Sequence, residues 1–221
     1  MQLVDCLDLG AAQVPTSACL VTETATLSYA ETQGLSRSIA ASLAACGVRP
    51  GDTVGVLSAN DPLALTCVFG ASRAHAAWAL IDPADATVEE LLQELSACSA
   101  LLFRTADAEL AREVHLRLPQ PHAMVCLDGH VPEAIGWGEF LVNGFTRTAV
   151  VPVGPSASSS DDRDDSDDSG HSGTSEDRPV FLALGPLSEA TADQWLPVLA
   201  QGGRIMMRTT SAVASEALLE A

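Results

Sequence analysis

The amino-acid sequence predicts an α/β fold built around a mostly parallel sheet. Short apolar runs of strand length alternate with segments of helical period, an order typical of βαβ units. Capping signals open the helical segments, and glycine or proline turns separate them from the strands. Hydrophobic residues make up 47% of the 221 residues, which is enough for a core, but aromatic residues make up only 4%. We therefore expect Ala, Leu and Val to fill most of the interior.

The first predicted elements are a small hairpin and the helix that follows it. Residues 18–23 and 26–29 have the pattern of two short strands joined by a tight turn. Ser28 and Glu31 form a capping box, in which each side chain bonds the backbone amide of the other residue. The helix is predicted to end at Gly47, since the residue after a helix commonly needs a left-handed backbone.

A buried strand and a second capped helix come next. Thr53 to Leu57 is a strand candidate behind an Arg-Pro-Gly-Asp turn. Asp61 followed by Pro62 predicts a helix start, because an aspartate caps well and proline suits the first helical position. This helix should extend to about His75, and residues 77–81 should form the next strand.

The alternation continues through the following fifty or so residues. Thr87 and Glu90 form a second capping box, which opens a helix predicted to end near Ala97. The remaining predicted elements of this region are a strand at 100–103, a helix at 107–117 and a strand at 123–127.

Composition divides the chain into three segments. Residues 1–152 form the α/β unit, and residues 153–178 are rich in Ser and Asp, with six aspartates and one arginine from Asp161 to Asp168. Such charged, low-complexity sequence predicts a solvated, disordered linker. Residues 179–221 then have the pattern of one more βαβ unit, which we expect to join a sheet, to have a right-handed crossover and to fray at its C-terminus.

Charge and cysteine usage exclude several classes of function. The formal net charge is −18 and no basic stripe offsets it, so nucleic acid is not an expected partner. The six cysteines are scattered without a CxxC pair, the N-terminus lacks a basic signal region, and charge interrupts the apolar stretches well short of a membrane span. The five histidines have no ligand spacing. We therefore expect a reduced cytoplasmic protein without a metal site, in which cysteines are small core residues.

The chain contains eleven arginines and no lysine. Lysine is a common ligand of β- and γ-phosphates and a common nucleophile or base once its pKa is lowered. Any function of this chain must therefore be carried out without a lysine of its own.

Five segments in order resemble the adenylate-forming superfamily, which includes acyl-CoA synthetases and the adenylation domains of nonribosomal peptide synthetases. Residues 27–31 (LSYAE) and 47–60 (GVRPGDTVGVLSAN) are similar to its opening strings. Residues 3–8 resemble its first helix, residues 76–83 its "GAxxVPLDP" strand, and residues 137–141 the segment before its nucleotide-binding loop. The resemblance covers about 140 residues and implies a three-layer N-terminal subdomain of such an enzyme.

Position 75 departs from that pattern, because His75 stands where the family usually has glycine. A charged histidine at a helix C-terminus interacts favourably with the helix dipole. We interpret His75 in this way and not as a catalytic residue, since no partner carboxylate is identifiable.

Residues 171–179 (HSGTSEDRP) resemble the family's Ser/Thr/Gly-rich phosphate loop, in which backbone amides and hydroxyls cradle the anion. After residue 175 the sequence departs from the family pattern: Glu176 replaces a glycine, Asp177 adds a second negative charge, and Val180 replaces the lysine. A like-charge pair ~5 Å apart costs on the order of 3 kcal/mol at an effective dielectric near 20. The stretch is therefore interpreted as a degenerate remnant, whose only phosphate-binding candidates are Ser172, Gly173, Thr174 and Ser175.

The resemblance also predicts what is missing. Residues 179–207 resemble a later family segment, and the sequence stops before the adenine-binding motif, the ribose-binding aspartate and the lid with its catalytic lysine. The family reaction needs these groups to orient the carboxylate and stabilise charge on the α-phosphate. We therefore expect a truncated relative with no catalytic residues and no cofactor of its own.

Three functional hypotheses remain open at this point. The first is an inactive relative. It either binds a protein partner (a full-length synthetase or a carrier-protein system), self-associates through apolar surface carrying Trp78, Trp137 or Trp195, or is a decaying remnant without a function. The alternative is an active or split acyl- or aminoacyl-adenylating ligase, completed by another chain and using ATP and Mg²⁺. The third, an unrelated nucleotide-binding module, lacks sequence support, because no GxGxxG follows the first strand and no GxxxxGK[ST] occurs.

Overall fold

The computed structural model describes residues 3–84, 86–118, 123–148, 178–183, 187 and 191–208. Its helices are α1 (Leu3–Gln13), α2 (Tyr29–Ala45), α3 (Pro62–Arg73), α4 (Val88–Glu94), α5 (Ala108–Arg117), α6 (Trp137–Thr148) and α7 (Ala192–Ala200). Its strands are β1 (Ala18–Val21), β2 (Thr26–Ser28), β3 (Thr53–Leu57), β4 (Ala77–Ile81), β5 (Cys98–Phe103), β6 (Ala123–Cys126), β7 (Ile135–Gly136), β8 (Val180–Ala183) and β9 (Arg204–Met207). A 3₁₀ turn, Thr105–Asp107, precedes α5.

The larger sheet has the order β4-β3-β5-β6-β7, and each of its neighbouring pairs is parallel. Side chains alternate between its two faces, so Val54 and Leu102 join one apolar cluster while Leu101 and Phe103 join the other. Helices α4 and α5 cover the second face, and α2, α3 and α6 lie on the first. The predicted three-layer α/β unit with a parallel sheet is confirmed.

A second, smaller sheet has the order β2-β1-β9-β8. The β1–β2 hairpin is antiparallel, as the sequence predicts, and β9 pairs in parallel with both β1 and β8. The C-terminal β8–α7–β9 unit therefore shares a sheet with the N-terminal hairpin. The buried face of this sheet, which carries Leu20 and Ile205, contributes to the same apolar cluster as Val54 and Leu102 of the large sheet.

Local sequence signals explain where the helices begin. In α2 the Ser28 hydroxyl accepts from the Glu31 amide at 3.3 Å, and the Glu31 carboxylate accepts from the Ser28 amide at 2.8 Å. The same reciprocal pair joins Thr87 and Glu90 ahead of α4. Asp61 caps α3, because its carboxylate accepts from the backbone amides of residues 63 and 64 at 2.8 and 3.0 Å. All three predicted caps are confirmed, whereas helix ends differ from the predicted positions by up to three residues.

Sequence periodicity does not predict helix α6; the sequence indicates only that residues 137–141 resemble a segment of the family. It packs along α2, and the missing side chain of Gly144 permits close approach to the backbone and hydroxyl of Ser42. Phe140 is fully buried and stacks on Trp137 with ring centroids 5.6 Å apart. Tertiary packing thus positions a helix whose sequence contains two interior glycines and three aromatic residues.

The expectation that tryptophans form an exposed patch is wrong for Trp195. Its side chain is fully buried and packs edge-on against Phe69, with ring centroids 6.3 Å apart. Trp78 and Trp137 are half-buried against the core cluster, and Trp78 lies on β4, not on a helix. The error arose because α7 packs on α1 and the small sheet, which together cover its apolar side.

The cysteines behave as small core residues. All six are free thiols, and five of them are buried. Burial raises the pKa of Cys19 to about 12, and it raises the pKa of Cys67 as well. The prediction that cysteines are small core residues is confirmed for these five buried positions.

No described helix is both long enough and apolar enough to cross a membrane.

His75 adopts a left-handed backbone with φ 57°, directly after α3 and its C-cap. Its side chain is exposed, and a non-glycine residue pays about 1–2 kcal/mol for this conformation. We expect His75→Gly to raise the free energy of unfolding by about 0.5–1 kcal/mol, since part of the relief is cancelled by the greater freedom of glycine in the unfolded chain. Urea unfolding followed by circular dichroism measures this change.

The matched control is Gly47→Ala after α2, where φ is 95° and no neighbouring atom lies within 4 Å of an added Cβ. This variant should lose about 1 kcal/mol. A destabilised His75→Gly would show that the imidazole makes a contribution larger than the backbone strain.

Candidate functional site

The loops at the carboxyl ends of the parallel strands enclose a cleft. From β3 the chain passes through α3 to β4 on one side, and from β4 it returns through α4 to β5 on the other side of β3. The strand order therefore reverses at β3. Ligands of open α/β sheets bind outside the carboxyl ends of the strands at such a switch point.

The cleft has a volume of about 780 Å³. Its walls come from the β1–β2 turn, from α2 and from the segments that follow β3, β4 and β5. Apolar side chains form most of this lining, namely Ala25, Leu27, Leu35, Ala59, Pro62, Leu63, Pro83, Ala84, Ala106 and Leu110. Among the described lining residues, the charged side chains are those of Asp61, Asp82, Arg104 and Asp107.

Arg104 sits at the end of β5 between two carboxylates. Its guanidinium lies 2.8 Å from Asp61 Oδ1 and 3.3 Å from Asp128 Oδ2. Burial opposes the charge on Arg104, but the hydrogen bonds and charges of both aspartates outweigh it and raise the pKa of the guanidinium. Arg104 is therefore occupied by protein carboxylates.

The two partners of Arg104 also have structural tasks of their own. Asp61 accepts from the Ser58 hydroxyl at 2.7 Å while it caps α3. Asp128 accepts from the Thr105 amide at 2.7 Å and from the Thr105 hydroxyl at 2.8 Å. Desolvation opposes the charge on Asp128, yet these hydrogen bonds and Arg104 lower its pKa. The network holds the ends of β3, β5 and β6 together.

Asp107 and Asp82 are two further carboxylates in the lining of the cleft. Desolvation, together with the charges of Asp82 and Asp128, raises the pKa of Asp107, and Arg104 counteracts only part of this effect. Among the described residues, Asp82 accepts from the Ala84 amide at 3.0 Å. Within the described ranges, no ion pair involves Asp82 or Asp107.

The described lining of the cleft carries a net negative charge. The described lining has three carboxylates and one cation, and that cation is already shared by Asp61 and Asp128. A polyphosphate would face uncompensated like charges in a partly desolvated site. The cleft instead combines apolar walls with a negative end.

The candidates predicted from the sequence for phosphate binding, Ser172, Gly173, Thr174 and Ser175, lie outside the described residues. Val180, at the position of the family lysine, is the first residue of β8 and is 46% exposed. The cleft itself was missed, although a signal existed: Ser58, Asp82 and Arg104 each follow directly on a strand. Their convergence depends on strand order, which the sequence does not state.

Comparisons with known proteins agree with this fold. The family model described as AMP-binding enzyme matches residues 7–165. The curated protein AMB antimetabolite synthetase AmbE of Pseudomonas aeruginosa is 30% identical over 126 residues, which are 57% of this chain and 6% of that protein.

Solved structures of two further proteins are similar to the chain. The apo structure of MbtA from Mycobacterium smegmatis has a TM-score of 0.68 at 23% identity, covering 99% of this chain and 46% of that one. The luciferase-like enzyme of the mealworm Zophobas morio has a TM-score of 0.69 at 14% identity, covering 95% and 55% respectively. The chain thus spans about half the length of these structures and a small part of AmbE.

The match to residues 7–165 includes the hairpin, the parallel sheet and the cleft, so the resemblance of the opening strings extends to the whole α/β unit. The chain belongs to the AMP-binding, adenylate-forming enzyme family.

Proposed function

We propose that this chain does not activate a carboxylate with ATP by itself, and that it acts through a protein partner, either a complete synthetase or a carrier-protein system. The observation that carries the proposal is the pairing of Arg104 with two carboxylates of the protein itself. Arg104 is the one cation among the described residues of the cleft, and two carboxylates already bind it. Adenylation requires cationic or amide groups preorganised around the phosphates.

The sequence supports the same proposal independently. These 221 residues contain no lysine, so they supply none to stabilise the pyrophosphate leaving group. Glu176 and Asp177 add two negative charges to the stretch that resembles the phosphate loop. ATP and Mg²⁺ are therefore not cofactors of the isolated chain in this proposal.

A surface of the small sheet supports the partner role. Val180, Leu182 and Met206 are 46%, 51% and 37% exposed. Leu182 and Met206 are registered neighbours on β8 and β9, and Val180 lies two residues before Leu182, so the three side chains share one face of the sheet. Apolar side chains clustered in this way are typical of a surface that another protein covers.

ATP–pyrophosphate exchange on the purified chain, with a panel of carboxylic and amino acids, tests the proposal. We expect no exchange above a protein-free control. A matched triple variant, Ser172→Ala with Thr174→Ala and Ser175→Ala, distinguishes true activity from a contaminating synthetase, because it removes all three hydroxyls assigned to phosphate. Exchange that is present in the native chain and lost in this variant would contradict the proposal.

The alternative is a split acyl- or aminoacyl-adenylating ligase whose remaining catalytic groups come from another chain, with ATP and Mg²⁺ as its cofactors. The exposed face of β8 and β9 favours this alternative as well, since a completing chain would cover it. Co-expression with the product of a neighbouring reading frame is the discriminating experiment. Exchange that requires both chains supports the split enzyme, whereas a stable complex without exchange supports the non-catalytic role.

A further inference from the structure

The size and place of the cleft fit a small molecule. Its volume of about 780 Å³ lies within the ~300–1,000 Å³ range of small-molecule sites. It opens at the switch point of the parallel sheet, where β3 is flanked by the ends of β4 and β5. The volume of the cleft and its position in the sheet are consistent with a small-molecule site of any chemical class.

The charged residues of the lining favour a ligand with a positive charge. Asp61 and Asp128 share Arg104, so three described charges there already sum to −1. Asp82 and Asp107 add two carboxylates to the cleft, and no described cation lies within ion-pair distance of either one. An anionic ligand is repelled from this surface, whereas a cation would neutralise it.

The apolar walls of the cleft favour a ligand that also has an apolar body. Leu27, Leu63 and Leu110 are among the side chains that surround the cleft. Covering them removes apolar surface from water, which favours binding by roughly 25 cal/mol for each Å². A small inorganic cation would leave these walls uncovered.

We propose that the cleft binds a small primary amine with an apolar body, its ammonium group held at the acidic end of the cleft that Asp82 and Asp107 line and its apolar body against Leu27, Leu63 and Leu110. The site goes beyond the proposed function, because it requires neither adenylation nor a protein partner. A second copy of the chain supplies no lysine ammonium group to occupy it, since the sequence contains no lysine. The occupant that we propose is a free small-molecule amine.

Calorimetric titration of the full chain with n-hexylammonium at neutral pH and low salt tests the site. Hexan-1-ol and hexanoate are the matched neutral and anionic probes with the same six-carbon body. We expect hexylammonium to bind with one site, hexan-1-ol to bind at least about tenfold more weakly, and hexanoate not to bind. This factor corresponds to the loss of one charge-assisted hydrogen bond. Equal binding of the alcohol and the ammonium compound would overturn the proposal.

Variants locate the site. Asp107→Asn and Asp82→Asn should each weaken hexylammonium binding about tenfold and leave the weak binding of hexan-1-ol unchanged. The control Asp193→Asn removes the same charge from an exposed position on α7 that is not part of the cleft lining, and should leave the affinity unchanged. An equal loss in Asp193→Asn would show non-specific attraction to an acidic protein and overturn the assignment.

The ammonium-binding experiment and the exchange assay test different proposals, so the failure of one does not decide the other. Exchange by the native chain contradicts the proposed function and leaves ammonium binding in the cleft intact. Absence of an ammonium preference contradicts the cleft assignment and leaves the proposed function intact.

Discussion

Replacing Trp195 with alanine is expected to lower the free energy of unfolding by about 3–5 kcal/mol. The indole is fully buried in α7, makes an edge-on contact with Phe69 of α3 and belongs to the cluster that connects both sheets. Truncation removes a large apolar surface and leaves a cavity that the helices on either side cannot fill. Because the cluster is continuous, the loss should lower the midpoint of one cooperative urea transition for the whole chain.

Two variants at α7 control this prediction. Asp193→Ala changes an exposed residue of the same helix and should stay within about 0.5 kcal/mol of the native chain. Trp195→Phe retains an aromatic ring and removes an indole N–H that has no hydrogen-bond partner among the described residues, so it should cost only about 1–2 kcal/mol. If Trp195→Ala behaves like Asp193→Ala, the β8–α7–β9 unit is not part of the common core.

Replacing Gly10 with valine is expected to destabilise the protein by about 3 kcal/mol or more. Gly10 lies on the buried side of α1, where an added Cβ would collide with the ring of Tyr29 and the carbonyl oxygen of Leu199. The Tyr29 hydroxyl lies 3.0 Å from that carbonyl and 2.5 Å from the carbonyl of Gly203. Relief of the collision would therefore disturb a buried hydrogen bond between the start of α2 and the C-terminal unit.

Gly34 provides the matched control for Gly10. It lies on α2, is exposed, and no neighbouring atom lies within 4 Å of an added Cβ. Gly34→Ala should therefore stabilise the protein by about 0.5–1 kcal/mol through helix propensity alone. Thermal unfolding of Gly10→Ala, Gly10→Val and Gly34→Ala separates propensity from packing. Stabilisation by Gly10→Ala equal to that of Gly34→Ala would contradict the close approach of α1, Tyr29 and α7.

The candidate site was predictable only in its separate parts. Asp61 was identified as a cap, and Arg104 and Asp82 were visible as polar residues that end apolar runs. Their proximity follows from the order β4-β3-β5, in which two residues far apart in sequence are placed on either side of β3. Periodicity identifies each strand, but it does not state which strand lies beside which.

The sequence by itself determined the local structure: the capped starts of α2, α3 and α4, the strand Thr53–Leu57, the left-handed position at Gly47 and the family of the α/β unit. These features depend on hydrogen bonds and backbone preferences among residues within one turn or strand. Tertiary structure alone decided that β8 and β9 complete the sheet of the N-terminal hairpin, that α6 packs on α2, that Trp195 is buried and that an acidic, apolar cleft forms. Each of these depends on contacts between distant segments, whose free energy is set by the surface they bury together and not by the sequence of either segment.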